Sequence, residues 1–204
     1  MIKKVFDMEN PIMQGLAFVF DLMWLNLLAA VTMLPVVTAG ASLVALHDVT
    51  ARMIRHEDFY TTKTFIRVFK ENLRKGSILG MIFLAAGVLV VLSYTAAGYT
   101  IPQLRITSAA TGLIVLAVSA YAFSLQAHFD NSVTNILKNA AILTIGYFPA
   151  TLGSVLFTVV FYLVTLRFQQ FGMPLLMLFG ISLPVYMFEH LGRHTIETLK
   201  SKEA

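Results

Sequence analysis

Apolar and polar positions fall in long blocks along this chain. Five predominantly apolar blocks stand out, at 12–34, 77–99, 106–127, 141–163 and 172–188. About 20 such residues, at roughly 1.5 Å of helical rise each, cross a hydrocarbon core about 30 Å thick. The blocks predict an all-α, polytopic helical membrane protein, with residues 1–204 as a single membrane domain of about five transmembrane helices. A polar segment, 35–76, separates the first two blocks, and a polar tail covers 189–204. Both are expected on the cytoplasmic side, the first as interfacial amphipathic helices.

Within 60–75, "YTTKTFIRVFKENLRK", the period changes. Lys63, Arg67, Lys70 and Arg74 fall on one helical face, while Phe65, Ile66, Phe69 and Leu73 take the other. This predicts a helix on the membrane surface with a basic stripe toward anionic headgroups. A docking surface for an acidic partner is the competing reading. Four basic residues are too few to argue for nucleic acid. Asp58 is placed to cap this helix, with Glu57 adding favourable charge near its start.

Upstream, Pro35 ends the first block, and Thr38, Gly40 and Ser42 predict a turn that starts a helix over 43–55. Leu43, Leu46, Val49, Thr50 and Met53 share a face of that helix. His47 and Asp48 point about 100° apart, whereas Asp48 and Arg52, four apart, can pair. Two placements stay open for 40–56: interfacial, or re-entrant, since about 15 residues are too few to span.

Asp21 stands near the middle of the first block, where a charge is costly and faces protein or water. Gln14, Asp21 and Thr32 lie nearly on one line of the helix, and Asn26 is about 120° away. This seam predicts an interhelical hydrogen-bond network; a proton or substrate path is the alternative. Gly76 and Gly80, with Ala85, Ala86 and Gly87 beyond, predict close helix packing. Pro149, Pro174 and Pro184 are expected to kink the last two spans. "LRKGSIL" at 73–79 resembles "LKNAAIL" at 137–143, and a duplication at that offset would give two parallel hairpins.

Composition sharpens the membrane reading: 57% of residues are hydrophobic and 13% charged, against about 25% charged in soluble domains. The net charge of +4 is read as a cytoplasmic marker. Seven lysines and arginines lie in 35–76, joined by Lys138, Arg193, Lys200 and Lys202, against Lys3, Lys4, Arg105 and Arg167 opposite. That bias predicts an outside N-terminus and a cytoplasmic C-terminus. Lys3 and Lys4 oppose it, and a re-entrant 40–56 would reverse the N-terminus. "MIKKVFDMEN" with the block after it reads as a retained anchor, because no small-residue cleavage site follows. The chain has no cysteine, which excludes disulfides and thiolate sites.

Catalytic constellations do not emerge. Glu189, His190 and His194 only superficially resemble a zincin helix, because Leu191 occupies the place of its glutamate. His128 and Asp130 lack a third partner in sequence, and no phosphate loop or nucleophile elbow is found. The chain is expected not to be an enzyme and to need no cofactor or metal.

"DLMWLNLLAAVTMLPVVTAGASLVALHDVTARMI" followed by "TFIRVFKENLRKG" resembles the YesL-like family of small bacterial integral membrane proteins of uncharacterised function. The resemblance rests on Asp21, Asn26, the turn from Pro35 to Ser42, Ala45-Leu46-His47 and the Phe65/Phe69/Lys70/Asn72 pattern, over about 16–76. Members are often encoded beside carbohydrate uptake and degradation systems in Gram-positive bacteria. The resemblance therefore implies an accessory partner of an ABC-type sugar importer in the plasma membrane, contacting its membrane subunits. A small transporter or channel using Asp21 is the alternative, and homo-oligomerisation stays open.

Overall fold

The computed structural model describes residues 11–57, 59–96 and 102–203, and every regular element among them is helical. The expected cap Asp58, the end of the second block at Tyr99, and Lys3 and Lys4 lie outside the described residues. The elements are α1 (Pro11–Met33), α2 (Ala39–Ile54), α3 (Thr61–Glu71), α4 (Leu73–Ala96), α5 (Pro102–His128), α6 (Val133–Gly146), α7 (Phe148–Arg167), α8 (Gln169–Phe179) and α9 (Ser182–Glu203). A short 3-10 turn, Val36–Thr38, joins α1 to α2.

Helices α1, α4, α5 and α7 are long and apolar enough to cross a membrane, and α8 with α9 adds a fifth crossing if the bent pair is one span. The chain is a multi-pass helical membrane protein. Leu89, Ile114, Leu156 and Leu163 are exposed, as lipid-facing positions should be.

The last two spans depart from the sequence expectation. The block 141–163 straddles a break at Tyr147, so α6 is a separate short helix and the span is α7. Pro149 lies in the first turn of α7, where its missing N–H costs nothing, and does not kink the span. The block 172–188 is likewise broken: the two helices meet at 60° around Gly180 and Ile181. Pro174 lies inside α8 and Pro184 in the first turn of α9, so the bend stands between the prolines. The proposed repeat fails for the same reason: 73–79 opens an unbroken span, whereas 137–143 lies within short α6.

The largest difference concerns α2, which is enclosed by α1, α3, α4, α5 and α9 and does not lie on the surface. Gly40, Ala41 and Ser42 are buried, as is every residue from Val44 to Ala51. Small residues make this enclosure fit. A Cβ on Gly40 would stand 2.0 Å from the Gly76 carbonyl oxygen and 2.7 Å from Gly80 Cα, so α2 and α4 cross backbone to backbone. Gly40 is thus a crossing point inside the helix and not part of a turn. The helix starts at Ala39, four residues before the expected start. It ends where His56 adopts φ 53°, with the His56 and Glu57 amides donating to Met53 and Arg52 carbonyls. That is a Schellman stop with histidine in the left-handed position.

The expected helix 60–75 breaks at Asn72, whose amide Nδ2 donates to the Val68 carbonyl at 3.0 Å, so Arg74 belongs to α4. Helix α3 buries Phe65 and Val68 while Phe69, stacked on Phe65, is half-buried. Ile66 and Leu73 point outward, against the pattern-based expectation. The apolar face of α3 covers α2, not lipid.

Candidate functional site

Helix α2 brings polar groups into the centre of the bundle, and each finds a different neighbour. Near its start, Ser42 Oγ donates to Thr32 Oγ1 at 2.8 Å, and Thr38 Oγ1 donates to the Thr32 carbonyl at 2.7 Å. Thr32 in turn donates to the Leu28 carbonyl. These bonds hold the α1–α2 corner after Pro35 has ended α1.

One turn further, His47 Nδ1 lies 2.7 Å from Glu189 Oε1 of α9, with both side chains 2% exposed. Ser124 and His128 of α5 face the same carboxylate. Phe188 packs edge-on to both the His47 ring, at 5.6 Å, and the Tyr121 ring, at 4.9 Å. Three helices thus converge on one buried acid, and its hydrogen bond offsets the cost of taking the carboxylate out of water. Beside His47 is a mainly apolar cavity of about 190 Å³ between α2, α5, α7 and α9, with Ser154 and Tyr162 among its walls.

Asp48 and Arg52 pair as their spacing predicts, with Nε 2.8 Å from Oδ2. Glu57 bridges Arg52 at 3.0 Å and Arg55 at 2.6 Å, closing a chain of alternating charges at the end of α2. The hydrogen bond to Asp48 raises the Arg52 pKa, against the opposing effect of partial burial.

The expected seam along α1 does not act as one network. Gln14 is exposed. Asp21 is half-buried and accepts from Thr61 Oγ1 at 3.1 Å, next to Trp24, whose Nε1 donates to Thr62 Oγ1 at 2.7 Å. Thr32 serves the α2 corner. Asn26, off that line, is the buried member. Its Oδ1 accepts from the Ile181 and Ser182 amides at 2.8 and 3.0 Å, and its Nδ2 donates to the Met177 carbonyl at 2.8 Å. One side chain therefore satisfies backbone groups on both sides of the α8–α9 break, which a membrane interior requires of any interrupted helix. Tyr162 Oη donates to the Gly180 carbonyl at 2.7 Å and completes the junction.

Lys63, Arg67, Lys70 and Arg74 are all exposed, and none makes an ion pair among the described residues. His190 is exposed and stacks on Tyr186 at 5.9 Å; the side chain of His194 lies outside the described residues. No group of three potential metal ligands forms among the described residues. Glu189 finds its partner 142 positions earlier and not on its own helix, where the sequence pattern had set it beside His190 and His194.

Residues 22–94 match a family model described as protein of unknown function, DUF624. The match runs from α1 to the end of α4, so it includes α2 and His47 but not Glu189. No curated protein and no solved structure matches the chain.

Proposed function

We propose that this protein is a non-catalytic partner subunit in a bacterial plasma membrane, of YesL-like kind, that docks onto another membrane assembly through the outer face of α3. One observation carries the reading: Lys63, Arg67 and Lys70 make no ion pair with a described residue and stand exposed on a helix whose other face is held onto α2 by Phe65 and Val68, with exposed Arg74 following in the first turn of α4. Burying two such side chains contributes about 1.5–3 kcal/mol each, so the stripe is presented on a fixed support. Complementary acidic groups would gain from a stripe that need not be ordered first. An outside N-terminus and a cytoplasmic C-terminus fit the charge bias and put the stripe in the cytoplasm. The resemblance to the YesL-like family suggests membrane subunits of an ABC-type sugar importer as the assembly.

Purification from native membranes in mild detergent tests this. The importer subunits should co-purify with the wild type and be lost from Arg67→Glu/Lys70→Glu. Repeated recovery of the wild type alone, with an intact importer elsewhere in the gradient, would overturn it.

A second reading, a small transporter or channel, is favoured by the interrupted α8–α9 pair, because broken helices often line transport sites. Asp21 then acts from the open side of α1, since it faces Thr61 and not the bundle centre. Flux into proteoliposomes should fall on Asp21→Asn. Absence of flux across a broad sugar and ion panel would sink that reading.

A further inference from the structure

Asp21 has a setting that goes beyond both readings. Between α1 and the start of α3 opens a cleft of about 1010 Å³ with Phe20, Asp21, Trp24, Tyr60, Thr61 and Lys63 among its walls. Its walls are aromatic: Tyr60 is 81% exposed, Phe20 65% and Trp24 40%. Asp21 and Lys63 both line it, yet no ion pair joins them or links either to another described residue. The only described hydrogen bond to the Asp21 carboxylate is from Thr61. One cleft therefore holds an anion and a cation that leave each other unneutralised, next to exposed π-faces.

Asp21 lies within the apolar stretch Met13–Met33, and its bond to Thr61 brings the polar start of α3 to that level, so the cleft is a polar recess on the flank of a span. The exposed Leu16, Val19 and Phe20 of α1 give it an apolar surface on one side, and the basic face of α3 begins on the other. A carboxylate flanked by aromatic rings suits an ammonium group. A lysine at the rim suits a phosphate, and it would repel a simple organic cation. A ligand with both groups a few atoms apart matches both charges at once, and acyl chains could lie along the apolar surface of α1.

The geometry points to this cleft as a binding site for the headgroup of a zwitterionic aminophospholipid, with its ammonium at Asp21 and its phosphate at Lys63. This assignment shares Lys63 with the stripe proposed for docking, but it rests on the cleft against α1, whereas Arg67 and Lys70 outside the cleft report on docking alone.

Nanodiscs with equal phosphatidylethanolamine and phosphatidylglycerol test it, with mass spectrometry of the lipid that stays with the full chain after detergent washing. Wild type should retain the ethanolamine lipid over the glycerol lipid by about fivefold. Asp21→Asn should bring that ratio to about one while total retained lipid holds. Lys63→Gln should lower retention of both, and Arg67→Gln, on the same stripe but outside the cleft, should change neither. Should Asp21→Asn fail to fold, Tyr60→Ala at its exposed position should reduce the ratio about twofold or more. A wild-type ratio near one, or an unchanged ratio in Asp21→Asn, overturns the assignment. Displacement of the lipid by equimolar soluble phosphoethanolamine also overturns it, since the ligand would then be the free compound.

Discussion

Adding one methyl group at Gly40 tests whether α2 is wedged against α4 as closely as the structure places it. A Cβ there would stand 2.0 Å from the Gly76 carbonyl oxygen and 2.7 Å from both Cα and N of Gly80. An ordinary carbon–oxygen contact is about 3.3–3.6 Å, so the helices would have to part by more than about 1 Å. The obstructing atoms are backbone, which no rotamer change can move. Nor can α2 retreat, because α1, α3, α5 and α9 pack on its other sides. Overpacking of this kind costs about 1–3 kcal/mol, and more when backbone must shift. Alanine returns about 0.5–1 kcal/mol of helix propensity. The net destabilisation should be about 2 kcal/mol, or roughly 4–8 °C in Tm for a chain of this size. Gly87→Ala in α4 is the control, because a Cβ there meets nothing within 4 Å; it should be neutral or stabilising by up to about 1 kcal/mol. Thermal unfolding in detergent, followed by circular dichroism, compares the two. Gly80→Ala meets the same crossing from the other side, at 2.7 Å from Gly40 Cα. Combining it with Gly40→Ala should cost less than the sum, since one separation relieves both clashes. Equal Tm values for Gly40→Ala and Gly87→Ala would refute the backbone crossing.

Three further outcomes follow from the site. His47→Leu leaves the Glu189 carboxylate buried without its nearest partner and should cost about 2–4 kcal/mol in detergent unfolding, whereas His47→Leu/Glu189→Leu should cost at least about 1 kcal/mol less than that single change; equal costs would remove the pair's importance. Asn26→Leu takes the partner from three backbone groups at the α8–α9 break, at about 1–3 kcal/mol for each stranded group. Hydrogen exchange at Ile181 and Ser182 should then accelerate at least about tenfold, while α4 amides stay unchanged. Hydrogen bonding to Lys75 holds the exposed Asp130 carboxyl below its usual range. The tie is therefore intact above the ordinary carboxylate range and is lost as pH falls through the lowered value. Carboxyl NMR should show that midpoint rising in Lys75→Gln and in about 1 M salt.

What could be read from the sequence divides by the range of the interaction. The first three spans follow from block hydropathy, whereas the breaks at Tyr147 and Gly180 do not, and the Asp48–Arg52 pair and the basic face of α3 follow from periodicity within a turn or two. Apolar residues in such a chain look alike whether they meet lipid or protein, so hydropathy alone did not show that Val44 and Leu46 are interior while Leu89 and Leu156 face outward. Polar residues discriminate, but only with their partners known. Asn26 meets residues about 150 positions later and His47 meets Glu189 across 142, distances at which no helical period speaks. One local signal did point inward. Gly40, Ala41, Ser42, Ala45 and Ala51 form a run of small residues, as closely packed membrane helices require. A surface-lying helix gains nothing from such residues, since it binds through large apolar side chains. Small-residue content, weighed against the crowd of charges at 47–57, identifies α2 as the helix the others close around. The charges at its end then read as the point where it emerges, with Asp48, Arg52, Arg55 and Glu57 tied to one another.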